Sequence, residues 1–109
     1  MNHDPITVIR LDGELEISRK NEIRTALEGG NEAQAVLLDL SEVTFADSIA
    51  LTELLRFCAE ALREKRPVAL VIQTPQFARV VQYAGLADAF MIFRNAREAR
   101  RYLTESIRE

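Results

Sequence analysis

Val36-Leu37-Leu38-Asp39-Leu40-Ser41-Glu42-Val43-Thr44-Phe45-Ala46-Asp47-Ser48-Ile49-Ala50-Leu51 is the stretch that decides the fold. With Ala35, its first residues form a short apolar run that ends at Leu40, the mark of a strand buried on both faces. Ser41 to Asp47 reads as a loop with Val43 and Phe45 turned inward. An apolar pattern at helical spacing then begins at Ser48 and runs to about Lys65. Leu51, Leu54, Leu55, Cys58 and Leu62 form its stripe, and Arg56, Glu60, Arg63 and Glu64 fall mostly opposite. A buried strand feeding a helix through a short loop is half of a parallel α/β unit.

The flanking segments repeat this alternation. Ile6 to Leu11 reads as a strand, Asp12-Gly13 as a turn, and Glu14 to Ile17 as a short second strand. Ser18 stands where an N-cap is expected, before a helix with Ile23, Ala26 and Leu27 on one face and Gly29-Gly30-Asn31 at its end. Beyond the long helix, Pro67 blocks continuation and Val68 to Ile72 reads as a buried strand. Thr74-Pro75 opens a helix carrying Phe77, Val80, Val81 and Ala84, closed by Gly85. Phe90 to Phe93 is a last short strand. Asn95 with Glu98 fits a capping box before a final helix with Ala96, Ala99, Leu103 and Ile107 inward. The expectation is one α/β domain spanning residues 1–109, with a mixed four- to five-stranded sheet and about four helices packed on it.

Composition narrows the function. The 109 residues are 48% hydrophobic and 28% charged, which suits a globular chain and not a disordered one. A net charge of −3 argues against direct nucleic-acid binding, which favours a basic excess. No apolar run reaches the roughly 18 residues of a membrane span, so no membrane insertion is expected. The opening MNHDPITVIR lacks a signal peptide's charged start and apolar middle, and the one cysteine, Cys58, suits a reducing compartment. A cytoplasmic location is therefore expected, with Cys58 as a small core residue.

Enzyme chemistry finds little footing. The only histidine is His3, near the N-terminus, so a Ser-His pair is not expected. No Gly-x-x-x-x-Gly-Lys run is present, and no His/Cys cluster suggests a metal. Asp39 and Asp47 as an acid pair for Mg²⁺ are a weak alternative. No cofactor, metal or catalytic residue is assigned. The five phenylalanines read as core, and Tyr83 and Tyr102 as half-buried packing residues. Arg94, Arg97, Arg100, Arg101 and Arg108 alternate with acids on the last helix and read as a solvated face.

Asp47-Ser48 is the position where chemistry concentrates. The first N–H groups of a helix have no partner within it and favour negative charge. Asp and Ser are also common N-cap residues, so a plain cap is the competing reading.

The long segment resembles the signature of the STAS domain, as found in anti-sigma factor antagonists. The family pattern Asp-Leu-Ser-x-Val-x-Phe-x-Asp-Ser stands here as Asp39 to Ser48, followed by Ile49-Ala50-Leu51. An early Gly-Glu-Leu-Asp is matched by Gly13-Glu14-Leu15-Glu16. The resemblance implies a binding protein, not an enzyme. It implies that Ser48 is phosphorylated by a partner anti-sigma factor, a serine kinase of the histidine-kinase-like ATPase fold, and dephosphorylated by a phosphatase. The unmodified form would bind the anti-sigma factor and release a sigma factor. Glu16, Asp47, Ile49, Ala50 and Thr52 are then the phosphosite environment and partner contacts. Ile49-Ala50 departs from the family's usual Ser or Thr followed by Gly, and Glu16 is one methylene longer than the usual Asp. That departure favours a second reading, a STAS partner subunit without a phospho-switch, in a lipid-transport ATPase assembly or a stress-signalling scaffold.

Overall fold

The computed structural model describes residues 4–83 and 91–108. Strand β1 is Ile6–Leu15, β2 Ala35–Ala46, β3 Val68–Val71 and β4 Met91–Phe93; the helices are α1 Lys20–Glu28, α2 Ser48–Arg63, α3 Pro75–Tyr83 and α4 Ala96–Arg108. A 3₁₀ turn, Ile17–Arg19, precedes α1. The sheet order is β1-β2-β3-β4, and every pairing is parallel. Stepwise crossovers that keep one hand place their helices on one face. Accordingly α1, α2 and α3 cover one side and α4 the other.

Side-chain alternation divides the core in the same way. Ile9, Leu11 and Leu15 of β1, with Val36, Leu38 and Leu40 of β2 and Val68 and Leu70 of β3, face the three helices. They meet Ile23 and Leu27 of α1, Leu54, Phe57, Cys58 and Ala61 of α2, and Phe77 and Val81 of α3. Ile6, Ala35, Leu37, Ala69 and Val71 face Ala99 and Leu103 of α4. Gly30 lies inside the first layer. A Cβ there would sit 2.9 Å from Ile9 Cδ1 and 3.1 Å from Phe57 Cζ, so a larger residue would force the layer apart.

Several expectations need correction. Among the described residues the sheet is parallel throughout, not mixed. Asp12-Gly13 does not reverse the chain: Gly13 takes φ +70 inside β1, and the strand runs on to Leu15. The pairing with β2 slips twice, between Arg10 and Asp12 and between Gly13 and Glu14. At each slip β2 carries one extra residue, a bulge in a parallel pair. The expected loop from Ser41 is therefore strand as far as Ala46. The second slip turns the chain between Val43 and Phe45. Val43 is fully buried, whereas Phe45 is 51% exposed and not part of the core. On α2 the buried arc is Ala50, Leu54, Phe57, Cys58 and Ala61, so Leu51 and Leu55 lie on its flank and Leu62 is exposed. Lys65, at φ 58, takes the left-handed turn after α2.

Caps divide in the same way. Asn95 Oδ1 accepts from Glu98 N at 2.9 Å, as the capping box requires. Ser18 lies within the 3₁₀ turn, and α1 starts without a side-chain cap. Thr74 precedes α3, but its hydroxyl donates to the Val43 carbonyl at 3.0 Å, tying that helix to β2. Tyr83 is exposed, while Tyr102 packs on Phe93 with ring centroids 5.6 Å apart. His3, Ala84, Gly85 and Phe90 lie outside the described residues.

Candidate functional site

β2 ends at Ala46, and Asp47 turns the chain into α2. Asp47 keeps an extended backbone, φ −80 and ψ 177, as an N-cap residue does. Its Oδ1 accepts from Ala50 N at 2.9 Å, satisfying one donor of the first turn. Its Oδ2 accepts from Ile17 N at 2.8 Å, across from the end of β1. Its own N–H donates to Leu15 O at 3.0 Å. Asp47 therefore grips two pieces of chain at once: the start of α2 and the exit from β1.

This grip sets the position of Ser48, the first residue of α2. Ser48 is exposed, and the polar side-chain contacts at this helix start belong to its neighbours. Its carbonyl accepts from Thr52 Oγ1 at 2.8 Å, so the Thr52 hydroxyl is directed back along the helix while the residue stays exposed. Ile49 is half-buried and Ala50 is buried against the sheet. Ala50 accordingly belongs to the packing beneath the site. Glu16 is exposed and caps the 3₁₀ turn without a side-chain hydrogen bond. It directly precedes the Ile17 amide held by Asp47.

Two apolar residues that adjoin this stretch along the chain face solvent. Ile17 is 59% exposed, and Phe45, expected in the core, is out in solvent two residues before Asp47. One signal for Ile17 was available. A carboxylate offers two oxygens, its own helix start satisfied only one of them, and the other needed a donor from elsewhere. The signal for Phe45 was absent, because a bulge in a parallel pair has no sequence mark here.

Asp39 lies at the middle of β2, not beside Ser48. Arg10 Nε donates to its Oδ2 at 3.1 Å and Ser41 N to its Oδ1 at 3.0 Å. Asp39 thus serves one side-chain and one backbone donor, Asp47 two backbone donors, and the two share no partner as an acid pair would. Among the described residues no group of three or more His, Cys, Asp or Glu side chains is placed to hold a metal. Cys58 is fully buried, and burial pushes its thiol up to about 12. No described helix is long and apolar enough to cross a membrane.

The family model of the STAS domain matches residues 2–99. An anti-sigma factor antagonist from Mycobacterium paratuberculosis superposes with a TM-score of 0.83 at 23% identity, over 95% of this chain and 90% of that one. The Bacillus cell fate determinant SpoIIAA in its phosphorylated form gives 0.71 at 23% identity, over 94% and 95%. A sulfate transporter family protein from Wolinella succinogenes gives 0.77 at 15% identity, over 96% and 89%. Identities this low establish a shared fold and nothing finer. No curated protein matches the sequence. With its parallel sheet, its crossover helices and a family match over most of its length, the chain belongs to the STAS domain family.

Proposed function

We propose that this chain is an anti-sigma factor antagonist whose docking face surrounds Ser48 and is switched off by phosphorylation of that serine. One observation carries the reading: a serine hydroxyl stands exposed at the first residue of a helix whose cap is already supplied by Asp47. Ser48 is thus not needed as a cap and is free to be modified. The helix terminus carries roughly half a positive charge and tolerates an added phosphate. The phosphate brings about −1.5 to −2 charges next to Asp47 and close in sequence to no compensating cation. Ile49 follows the serine and is half-buried, Ile17 is tied to Asp47 through its amide, and Phe45 lies exposed three residues before the serine; together they offer apolar ground for a partner. Burying that ground against a partner would strand the phosphate in an interface, so docking weakens while the fold stays as it is. The partner on this reading is a serine kinase of the anti-sigma factor type, with a phosphatase restoring the binding form. The protein acts by binding in the cytoplasm and not as an enzyme.

The same apolar ground favours a second reading. A constitutive subunit of a transporter ATPase or signalling scaffold would also use Ile17, Phe45 and Ile49, without any phosphate. The two separate in one experiment. The tagged chain is recovered from its native cell with its partners, Ser48 is examined by mass spectrometry, and capture is compared for Ser48→Ala and Ser48→Asp. The switch requires phosphate on Ser48, capture by Ser48→Ala and loss with Ser48→Asp. Equal capture by both variants, with Ser48 unmodified, assigns the chain to the constitutive class.

A further inference from the structure

We propose that Arg19, which touches neither Ser48 nor Asp47 through any hydrogen bond, is the positioning residue of this site. The assignment rests on the docking reading above for its effect on binding, and on geometry alone for its effect on the chain. Arg19 follows Ile17 by two residues, and only 25% of its side chain is exposed. Its Nη1 donates to two backbone carbonyls, Asp12 O at 2.6 Å and Glu14 O at 3.0 Å. These carbonyls flank Gly13, where β1 takes a positive φ and its pairing with β2 slips. β1 is the edge strand of the sheet, where one row of carbonyls has no neighbouring strand to pair with. Arg19 donates to two carbonyls of this strand. A Cβ on Gly13 would lie 3.6 Å from Nη1, so the guanidinium rests directly against the irregular backbone.

Glu22 holds the guanidinium from the other side. Its Oε2 accepts from Arg19 Nε at 3.2 Å and also contacts Nη2, which lies 3.6 Å from Asp12 Oδ1. The planar fork is thereby fixed in orientation, which a lysine's single ammonium does not reproduce. Immediately beyond the second carbonyl, Leu15 O accepts from Asp47 N and Ile17 N donates to Asp47 Oδ2. Leu15 is fully buried and pairs with Ala46 of β2, so the short strap beyond the ladder is Glu16 and the 3₁₀ turn Ile17–Arg19. Asp47 holds its start through the Ile17 amide, and Arg19 ties its end back onto β1. Releasing Arg19 lets the turn shift and loosens the bond from the Ile17 amide to Asp47 Oδ2, with no partner contact removed.

The test compares Arg19→Lys and Arg19→Gln with the unaltered chain by amide hydrogen exchange. The Ile17 amide should exchange about tenfold faster in both variants, the factor that losing one net hydrogen bond implies. The Leu37 and Leu70 amides, in the core strands, should not change. Unchanged Ile17 protection overturns the proposal. So does recovery of protection in Arg19→Lys, which would mean that charge alone suffices. A uniform rise at all amides also overturns it, because it makes Arg19 a general stabiliser. The kinase recovered by the pull-down above supplies the functional arm: kcat/KM on Ser48 should fall about tenfold in both variants, tracking the Ile17 amide. A kinase that treats all three chains alike removes the functional role. Failure of the unaltered chain to be phosphorylated defeats the proposed function, and the exchange result still decides what Arg19 does.

Discussion

The two halves of β2 are held by different forces. Ala35 to Leu40 is buried without a break, pairs with β1 on one side and β3 on the other, and has helices on both faces. Ser41 to Ala46 pairs with β1 alone, slips twice in register and leaves Glu42, Thr44 and Phe45 in solvent. Non-directional burial secures the first half. In the second half only Val43 is fully buried, and polar contacts with definite direction place the rest: Ser41 N to Asp39, Thr74 Oγ1 to Val43 O, and the paired oxygens of Asp47. A segment fixed by hydrogen bonds can keep its side chains outward. That is the condition for presenting a serine and its neighbours to another protein.

The sharpest contrast within the strand is between Leu38 and Phe45. Leu38 has no exposed surface, so Leu38→Ala should cost about 2–5 kcal/mol in transfer and cavity terms. Phe45→Ala should cost less than about 1 kcal/mol, because half of that ring is already in water. Urea denaturation of both variants checks this. Equal losses would mean that burial holds Phe45 as firmly as Leu38, and the division would collapse.

Asp47→Ala comes next in size. It removes the cap of α2 and the acceptor for Ile17 together, for about 1–2 kcal/mol. Asp47→Asn keeps one good acceptor but presents an NH₂ where the other oxygen met an N–H, and should fall between. The midpoint shift measures the total. Faster exchange at both Ala50 and Ile17 would show that one carboxylate serves two segments.

Much of this contrast was legible in the amino-acid order, and the rest was hidden for physical reasons. The Ala35-to-Leu40 run, broken only by Asp39, announced a buried strand, because a strand covered on both faces does not alternate polar with apolar residues. The Asp47 cap and the start of α2 were equally plain, since capping is a local matter. Phe45 was misplaced because inward alternation was carried past a register slip that depends on β1, a partner distant in sequence. Asp12-Gly13 was read as a reversal. Glycine's freedom was correctly inferred there, but whether the chain turns back or continues depends on what lies beside it. The role of Arg19 leaves no mark in the sequence, because two of its partners are backbone carbonyls. The long motif led to Ser48, and the strap tied to Asp47 needed coordinates.

Acid should probe two buried polar contacts, one in the first half of β2 and one on α2. Burial by itself would raise the Asp39 carboxyl, but hydrogen bonds from Ser41 and Arg10 outweigh it and hold the group below its ordinary value of 3.8. Glu53, buried on α2, accepts from Arg24 of α1 at 2.9 Å, and that bond holds its carboxyl below the ordinary 4.5. Both groups bind protons more readily when unfolded. Their stabilisation is complete above the unfolded values and is lost as pH falls below about 4.5 and through the lower folded values. Urea midpoints measured from pH 7 down to pH 3 should decline in that window. Asp39→Asn and Glu53→Gln should each lower stability at pH 7 and flatten the decline. A decline left intact in both variants would place the acid sensitivity elsewhere.

The smallest change in stability is expected where the largest change in binding is proposed. Ser48→Ala should move the urea midpoint by less than about 0.5 kcal/mol, because Asp47 already caps the helix and the serine is exposed. Ser48→Asp gains from the helix terminus about 0.3–1 kcal/mol, offset by the like charge of adjacent Asp47, so it too should stay near the unaltered chain. A shift above about 1 kcal/mol in either variant would make Ser48 part of the scaffold, and any loss of partner capture would then be a folding effect. If both midpoints hold while only Ser48→Asp loses its partner, the charge acts at the interface. The second half of β2 would then be doing what its exposed, hydrogen-bonded construction permits: leading into a helix start whose modification the fold does not register.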